Sequence, residues 1–291
     1  MRAVEQLSLG FASPCSPPPQ LLKWVGNKHR SASIIAGCVL DEGYRRYIEP
    51  FVGTGAVLGA LAPESALAAD ALKPLIDIWL SVQADPQALV QSYASRWQRY
   101  QADPRTAYAA IRKQFNLEPN SADLLFLCRS CYGGVVRFTM NGTMSTPVGV
   151  HRPIHPSSLL RRALLWQRRV LNTSFLAQDF EQTMEHAGHG DVVYCDPPYS
   201  FAQSILYGAQ GFSLGRLFSA IESCVKRGAR VLLSLDGSKR SGRQPCCVLV
   251  PDGLFRREMS LDQGSSMLRR FQKRGQEMIG EDVSDRLLLT W

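Results

Sequence analysis

Residues 190–201 read GDVVYCDPPYSF, and the tetrapeptide Asp196-Pro197-Pro198-Tyr199 at their centre can continue neither a helix nor a sheet. Val192, Val193, Tyr194 and Cys195 before it have the β-branched and aromatic make-up of a short buried strand. Each proline fixes its own φ, lacks an N–H and restricts the residue before it. The strand therefore exits into a stiff, extended corner whose carbonyls have no sheet partner. Such a corner holds a carboxylate and a bare carbonyl in fixed places. For Pro-Pro alone, a loop that ends a strand is the plainer reading, so the rest of the chain decides.

Strand, turn and helix alternate at both ends of the chain. RRYIEPFVGTGAV (45–57) reads as strand, glycine turn and helix start, and SALAAD (65–70) as a second strand, with a helical stretch from Asp77 to Val82. Asp85-Pro86 then opens a helix that sets Leu89, Tyr93, Trp97 and Tyr100 on one face, and Asp103-Pro104 opens another. SADLLFLCRSCYGG makes a third helix ending at Gly133 and Gly134, Asn141-Gly142 marks a hairpin turn, and a basic helix spans about 157–170. From Thr173 the alternation resumes with TSFLAQDF, DVVYC, a helix capped by Ser213 and stopped by Gly228, and ARVLLSLDG; CVLV and RLLLTW are two further strands. The pattern predicts one open α/β sheet with a helical insertion: a mobile arm (1–20), a core (21–84 and 171–291) and an inserted lobe (85–170). Ligands of such sheets bind at the carboxyl ends of strands, at the switch point, so FVGTG and DPPY are expected on one edge.

Charge separates the insertion from the core. The net +8 is concentrated in residues 91–170, where twelve basic and three acidic side chains give +9 and leave the remainder at −1. A basic block in a near-neutral protein points to a polyanion, nucleic acid above all; an Arg-rich solvated surface is the alternative. Of the eight cysteines only Cys128 and Cys131 have ligand spacing, and they lie in an apolar helix with no second pair, so buried thiols are expected, with no metal and no disulfide. His151 and His155 have no carboxylate beside them and read as a loop facing phosphate. No apolar run reaches the roughly 18 residues of a membrane span. Glu5 and Gln6 stand where a secretory signal needs an apolar segment, so a cytoplasmic location is expected.

Gly53 and Gly55 let a backbone pass close to a ligand, although a tight turn would use them equally. Asp70, 15 residues after Gly55 at the end of the second strand, suits a carboxylate that accepts two ribose hydroxyls. At the proline corner, Asp196 and the Pro197 carbonyl can accept hydrogen bonds from one exocyclic amine while Tyr199 stacks on its ring. Two fixed acceptors return electron density to a conjugated amine nitrogen and aim its lone pair at an electrophile.

In this order the motifs resemble the Dam-type adenine-specific DNA methyltransferases that use S-adenosylmethionine, from LLKWVGNK to RLLLTW. KWVGNK is similar to that family's N-terminal cofactor motif, EPFVGTGAV to its glycine motif and AADALKPLIDIW to its ribose motif. QDF is similar to its adenine-ring motif and DPPY to its catalytic motif. The resemblance implies a Rossmann-like methyltransferase core, a mostly parallel twisted sheet, with an inserted, mainly helical DNA-recognition lobe. It implies Trp24, Lys28, Gly53, Gly55, Asp70, Asp179 and Phe180 around the cofactor, and Asp196, Pro197 and Tyr199 at a flipped-out adenine. VVRFTMNGTMSTPVG is similar to the family's DNA-reading hairpin, and with the basic block it gives a DNA-contact set of Arg129, Arg137, Asn141, Gly142, Pro147 and Arg152. The chain departs from the family at Ala71-Leu72, usually Ile-Asn, and at Asn141 and Thr143, where a charged residue usually flanks the glycine. Double-stranded DNA is the implied partner, with a cognate restriction endonuclease as a second and no membrane. Cytosine N4, an RNA base or a protein amide as acceptor, and a non-catalytic DNA-binding protein, stand as the alternatives.

Overall fold

Five parallel strands set the architecture of the chain, for which a computed structural model describes residues 15–24, 26–198, 212–239, 244–245, 248–265 and 282–291. They are β1 (Tyr47–Glu49), β2 (Ala66–Asp70), β3 (Thr173–Ala177), β4 (Val192–Cys195) and β5 (Arg230–Lys239). The described sheet also holds β6 (Gln244–Pro245), β7 (Arg257–Ser265) and β8 (Asp282–Leu289), in the order β3-β2-β1-β4-β5-β8-β7 with β6 against β5. Tyr47 and Ile48 pair in parallel with Ala66 and Leu67 on one side and with Val192 and Val193 on the other. The order reverses at β1, between β2 and β4, which makes the β1–β4 crevice the switch point where ligands of open α/β sheets bind.

Two cores flank the sheet because successive side chains on a strand point to opposite faces. Tyr47, Val192, Tyr194, Leu232, Leu287 and Leu289 lie on one face with α1 (Ala32–Asp41), α2 (Ala56–Leu61) and α3 (Lys73–Ala84). Ile48, Val193, Cys195, Val231, Leu233 and Leu288 lie on the other, under α8 (Phe180–Glu185) and α9 (Leu214–Lys226). Between β2 and β3 the chain forms α4 (Pro86–Ala102), α5 (Pro104–Leu117), α6 (Ser121–Ser130) and α7 (Pro156–Arg169). These helices share the first core instead of building their own: Trp79 of α3 meets Trp166 of α7 at 5.1 Å and stacks on Phe175 of β3 at 5.9 Å.

Local chemistry places the helix starts. The Asp85 carboxylate accepts from Ala88 N and the Asp103 carboxylate from Arg105 N and Thr106 N, each with a proline at the first helical position. Ser213 precedes α9 as expected, but its side chain makes no capping bond. His155 caps α7 by accepting from Ser157 N, which gives this histidine a structural task. Among the described residues no helix is long and apolar enough to cross a membrane.

Two expectations change. The arm is expected to run to residue 20, yet Pro17 and Pro18 are buried, and Cys15, Pro18, Pro19 and Gln20 are bonded to the body. Consecutive prolines offer carbonyls without competing N–H groups, and composition alone conceals that use. The strand expected at CVLV is absent over Val248–Val250, and the outer strand is instead β7. A further basic stretch, SSMLRRFQKRG (265–275), reads in sequence equally as a phosphate contact or a solvated loop, and most of it lies outside the described residues.

Gly59 of α2 packs closely on the helical block, since a Cβ there would fall 2.4 Å from the Trp166 ring. Gly59→Ala should lower unfolding stability by about 2 kcal/mol in urea titrations, the scale of overpacking a rigid core.

Candidate active site

The glycine turn leaves β1 and is pinned from three sides. Gly53 and Gly55 have φ of +47° and +63°, conformations that favour glycine. Gly53 N donates to Asp70 Oδ2 at 3.2 Å, Trp79 Nε1 donates to Gly53 O at 3.1 Å, and Val52 N donates to Ala69 O at 2.8 Å. Asp70, at the end of β2, also accepts from Leu72 N at 3.0 Å. Its burial pushes the carboxyl up to about 6 even against these two backbone donors. Trp24 packs beside the turn: a Cβ on Gly53 would lie 3.9 Å from its ring. The structure thus brings Trp24, Gly53, Gly55 and Asp70 together.

The proline corner leaves the neighbouring strand, β4. Lys28, expected among the cofactor residues, extends to this corner: its Nζ lies 2.7 Å from Asp196 Oδ1 and also donates to Gly26 O at 3.2 Å. The Lys28 side chain is only 4% exposed, so its charge is almost wholly withdrawn from water. Burial opposes that charge, but the carboxylates of Asp196, Asp285 and Asp236 outweigh it and keep the ammonium above lysine's ordinary pKa. Asp196 and Pro197 follow β4 directly, whereas Tyr199 lies outside the described residues.

A buried acid stands at the base of the corner. Glu49, the last residue of β1, accepts from Tyr47 Oη at 2.9 Å. Burial raises its carboxyl well above the ordinary range, and the nearby Asp196 charge adds to the effect despite the Tyr47 donor. The Tyr194 and Ser234 hydroxyls meet at 2.9 Å on the same sheet face. Motif reading gave Glu49 no role because a lone acid before Pro-Phe carries no spacing signal. Asp285 was missed because its partner is distant in sequence, although in SDRLLLTW the alternation Asp285, Leu287, Leu289 would have pointed it inward.

At the end of β3, Asp179 caps α8 by accepting from Glu181 N, and Arg216 reaches its Oδ1 at 3.0 Å. Phe180, expected to face an adenine ring, is buried: it stacks on Phe51 at 5.2 Å, and the Arg216 guanidinium lies 5.0 Å from its ring centre.

The hairpin turns at the expected place, with Gly142 N donating to Thr139 O at 2.9 Å. Helix α5 clamps it: Tyr108 Oη donates to Thr146 O, and Asn116 bonds both the N–H and the carbonyl of Met144. Arg137, Asn141, Gly142, Pro147 and Arg152 are exposed. Arg129, expected among the DNA contacts, is instead buried and donates to the Gln20 and Leu21 carbonyls, which makes it a tie inside the fold. Arg96, Arg112 and Arg162 also spend their donors internally, on Asp123, on Ser145 and Thr146, and on Gln20.

A glycine turn and an acid–proline corner at the ends of adjacent parallel strands define a Rossmann-like methyltransferase fold. Residues 24–241 match the family model described as D12 class N6 adenine-specific DNA methyltransferase, and the chain belongs to that family. It is 30% identical over 231 residues to the DNA N-6-adenine-methyltransferase of Escherichia phage P1, covering 75% of this chain but 30% of that protein. It is 30% identical over 226 residues to a DNA adenine methylase of Vibrio cholerae, covering 73% and 79% of the two chains. The type II methyltransferase M.MjaIII of Methanocaldococcus jannaschii is 29% identical over 240 residues, covering 73% and 82%.

A carboxyl whose folded pKa is raised supports folding while protonated and loses that contribution as pH rises through the folded value. For Asp70, raised to about 6, the window runs from its ordinary acidic value up to about 6. The melting temperature of the protein relative to Asp70→Asn should therefore fall between about pH 4 and pH 7, as thermal melts across that range would show.

Proposed function

We propose that the chain transfers a methyl group from S-adenosylmethionine to the N6 amine of an adenine flipped out of double-stranded DNA. One observation carries the reading: the Asp196-Pro197 corner and the Gly53–Gly55 turn leave paired neighbouring strands at the switch point. The donor set also fits the cofactor. Trp24 and the glycine turn suit its amino-acid end, Asp70 its ribose, and the Asp179–Phe180 turn its adenine end. When bound, S-adenosylmethionine supplies a methyl carbon on a sulfonium, which needs no acid to activate it.

The protein's own residues do the rest. Asp196 and the Pro197 carbonyl accept from the amine, fix its orientation and concentrate electron density on nitrogen. Tyr199 stacks on the extruded base. Lys28 holds Asp196 through Oδ1 at 2.7 Å, which limits the carboxylate's freedom to turn. Extruding a base requires a few kcal/mol, and exposed Arg137 and Arg152 beside the hairpin supply phosphate contacts that compensate. Relatives named as DNA adenine methylases and as a type II methyltransferase support a role in either DNA marking or a restriction–modification system, the latter with a cognate endonuclease.

Asp196→Ala should abolish transfer of labelled methyl groups while DNA and donor still bind. Digestion of the product to nucleosides should yield N6-methyladenine, and N4-methylcytosine would overturn the choice of acceptor. Arg137→Ala and Arg152→Ala should each lower the salt slope of DNA binding by about 1 in anisotropy titrations. Arg129→Ala should leave that slope unchanged and reduce unfolding stability by about 2 kcal/mol, because the buried Leu21 carbonyl loses its charged donor and Gln20 keeps only Arg162.

A further inference from the structure

The Lys28 ammonium forms salt bridges with Asp196 and Asp285 while Asp236 adds its charge from further off, and only Asp196 belongs to the proline corner. Its Nζ lies 2.7 Å from Asp196 Oδ1 and 3.5 Å from Asp285 Oδ2. Asp285 stands on the antiparallel strand β8, beyond residues 24–241 that match the family model. We propose that Asp285 is a positioning residue for methyl transfer: it draws part of the Lys28 charge away from Asp196 and so keeps Asp196 a strong acceptor for the target amine. The inference rests on the reading of Asp196 given above.

Asp285 is poorly explained as a stabilising residue. The β5–β8 register sets it directly opposite Asp236, and like charges facing each other across strands are unfavourable. The register shifts immediately after Asp236, and such irregularities concentrate next to active sites. Its neighbours along the same face, Leu287 and Leu289, are apolar and buried, as a core position requires. The Asp285 side chain is itself only 8% exposed. Burial, with the charges of Asp196 and Asp236, pushes its carboxyl up to about 6 although Lys28 pulls the other way. A sheet selected for stability alone would carry a leucine here.

Lys28 supplies the reason for the acid. Coulombic attraction rises as distance and dielectric fall, so a buried ammonium with a single near carboxylate concentrates its field there. An Asp196 so held has less electron density to offer an amine. Asp285 provides a second acceptor 3.5 Å from the same Nζ, so that Lys28 orients Asp196 without neutralising it. The group acts on Asp196 through Lys28 and through the repulsion between the two carboxylates, not by contact with a reacting atom.

The test is single-turnover methyl transfer with DNA and S-adenosylmethionine saturating, alongside separate binding titrations and thermal melts. Asp285→Asn keeps the shape and removes the charge, and the transfer rate should fall about tenfold or more while both dissociation constants stay within about twofold. Asp285→Glu should restore most of the rate. The proposal is overturned if Asp285→Asn reacts at the wild-type rate, or if the Asn and Glu variants are equally slow. It is also overturned if the Asn variant unfolds, or loses DNA and donor affinity in step with rate, either of which marks a structural role. Asp196→Ala, assayed in parallel, separates the two readings: if it still transfers methyl groups, the assignment of the site fails. If it is inactive while Asp285→Asn is normal, the role of Asp285 alone fails.

Discussion

The parallel pairing of β1 with β4 joins segments separated by the whole helical block, through Tyr47 opposite Val192 and Ile48 opposite Val193. Each strand ends in a segment that cannot extend the sheet: positive-φ glycines after β1, and two prolines after β4. Because the strands run the same way, both interruptions fall on one edge. A register slip in this pair would turn Tyr194 from one core to the other and carry Asp196 away from Lys28, and the two buried cores resist such a slip.

Local features of this arrangement were legible in the sequence. Asp-Pro pairs announce helix starts because a carboxylate satisfies the first N–H groups and proline lacks one. Asn141-Gly142 announces a turn because Gly142 takes a positive φ. The strands around FVGTG and DPPY could be read because a short apolar run bounded by breakers admits few other structures. The mixed sheet was legible only in part: β7, with Glu258, Ser260 and Asp262 among its residues, lacks the apolar run that marks a buried strand.

Long-range electrostatics stayed hidden. A count of arginines cannot tell exposed Arg152 from Arg129, whose donors close on backbone carbonyls inside the fold. The family resemblance implies a cofactor role for Lys28, yet its amine reaches a carboxylate 168 positions away. Asp285 and Glu49 gain meaning only when the sheet brings them beside that pair.

The proline-rich segment has a consequence for how the two halves of the molecule hold together. The Pro18 carbonyl meets the His29 ring, the Pro19 carbonyl accepts from Trp166, and the Gln20 and Leu21 carbonyls accept from Arg129, with Arg162 sharing Gln20. One short ribbon of backbone thus laces helices α6 and α7 to the segment that carries Trp24 and Lys28. A chain starting at residue 22 would strand those indole and guanidinium donors in the interior, loosening the seam between the sheet and its helical insertion while every recognisable motif remained intact.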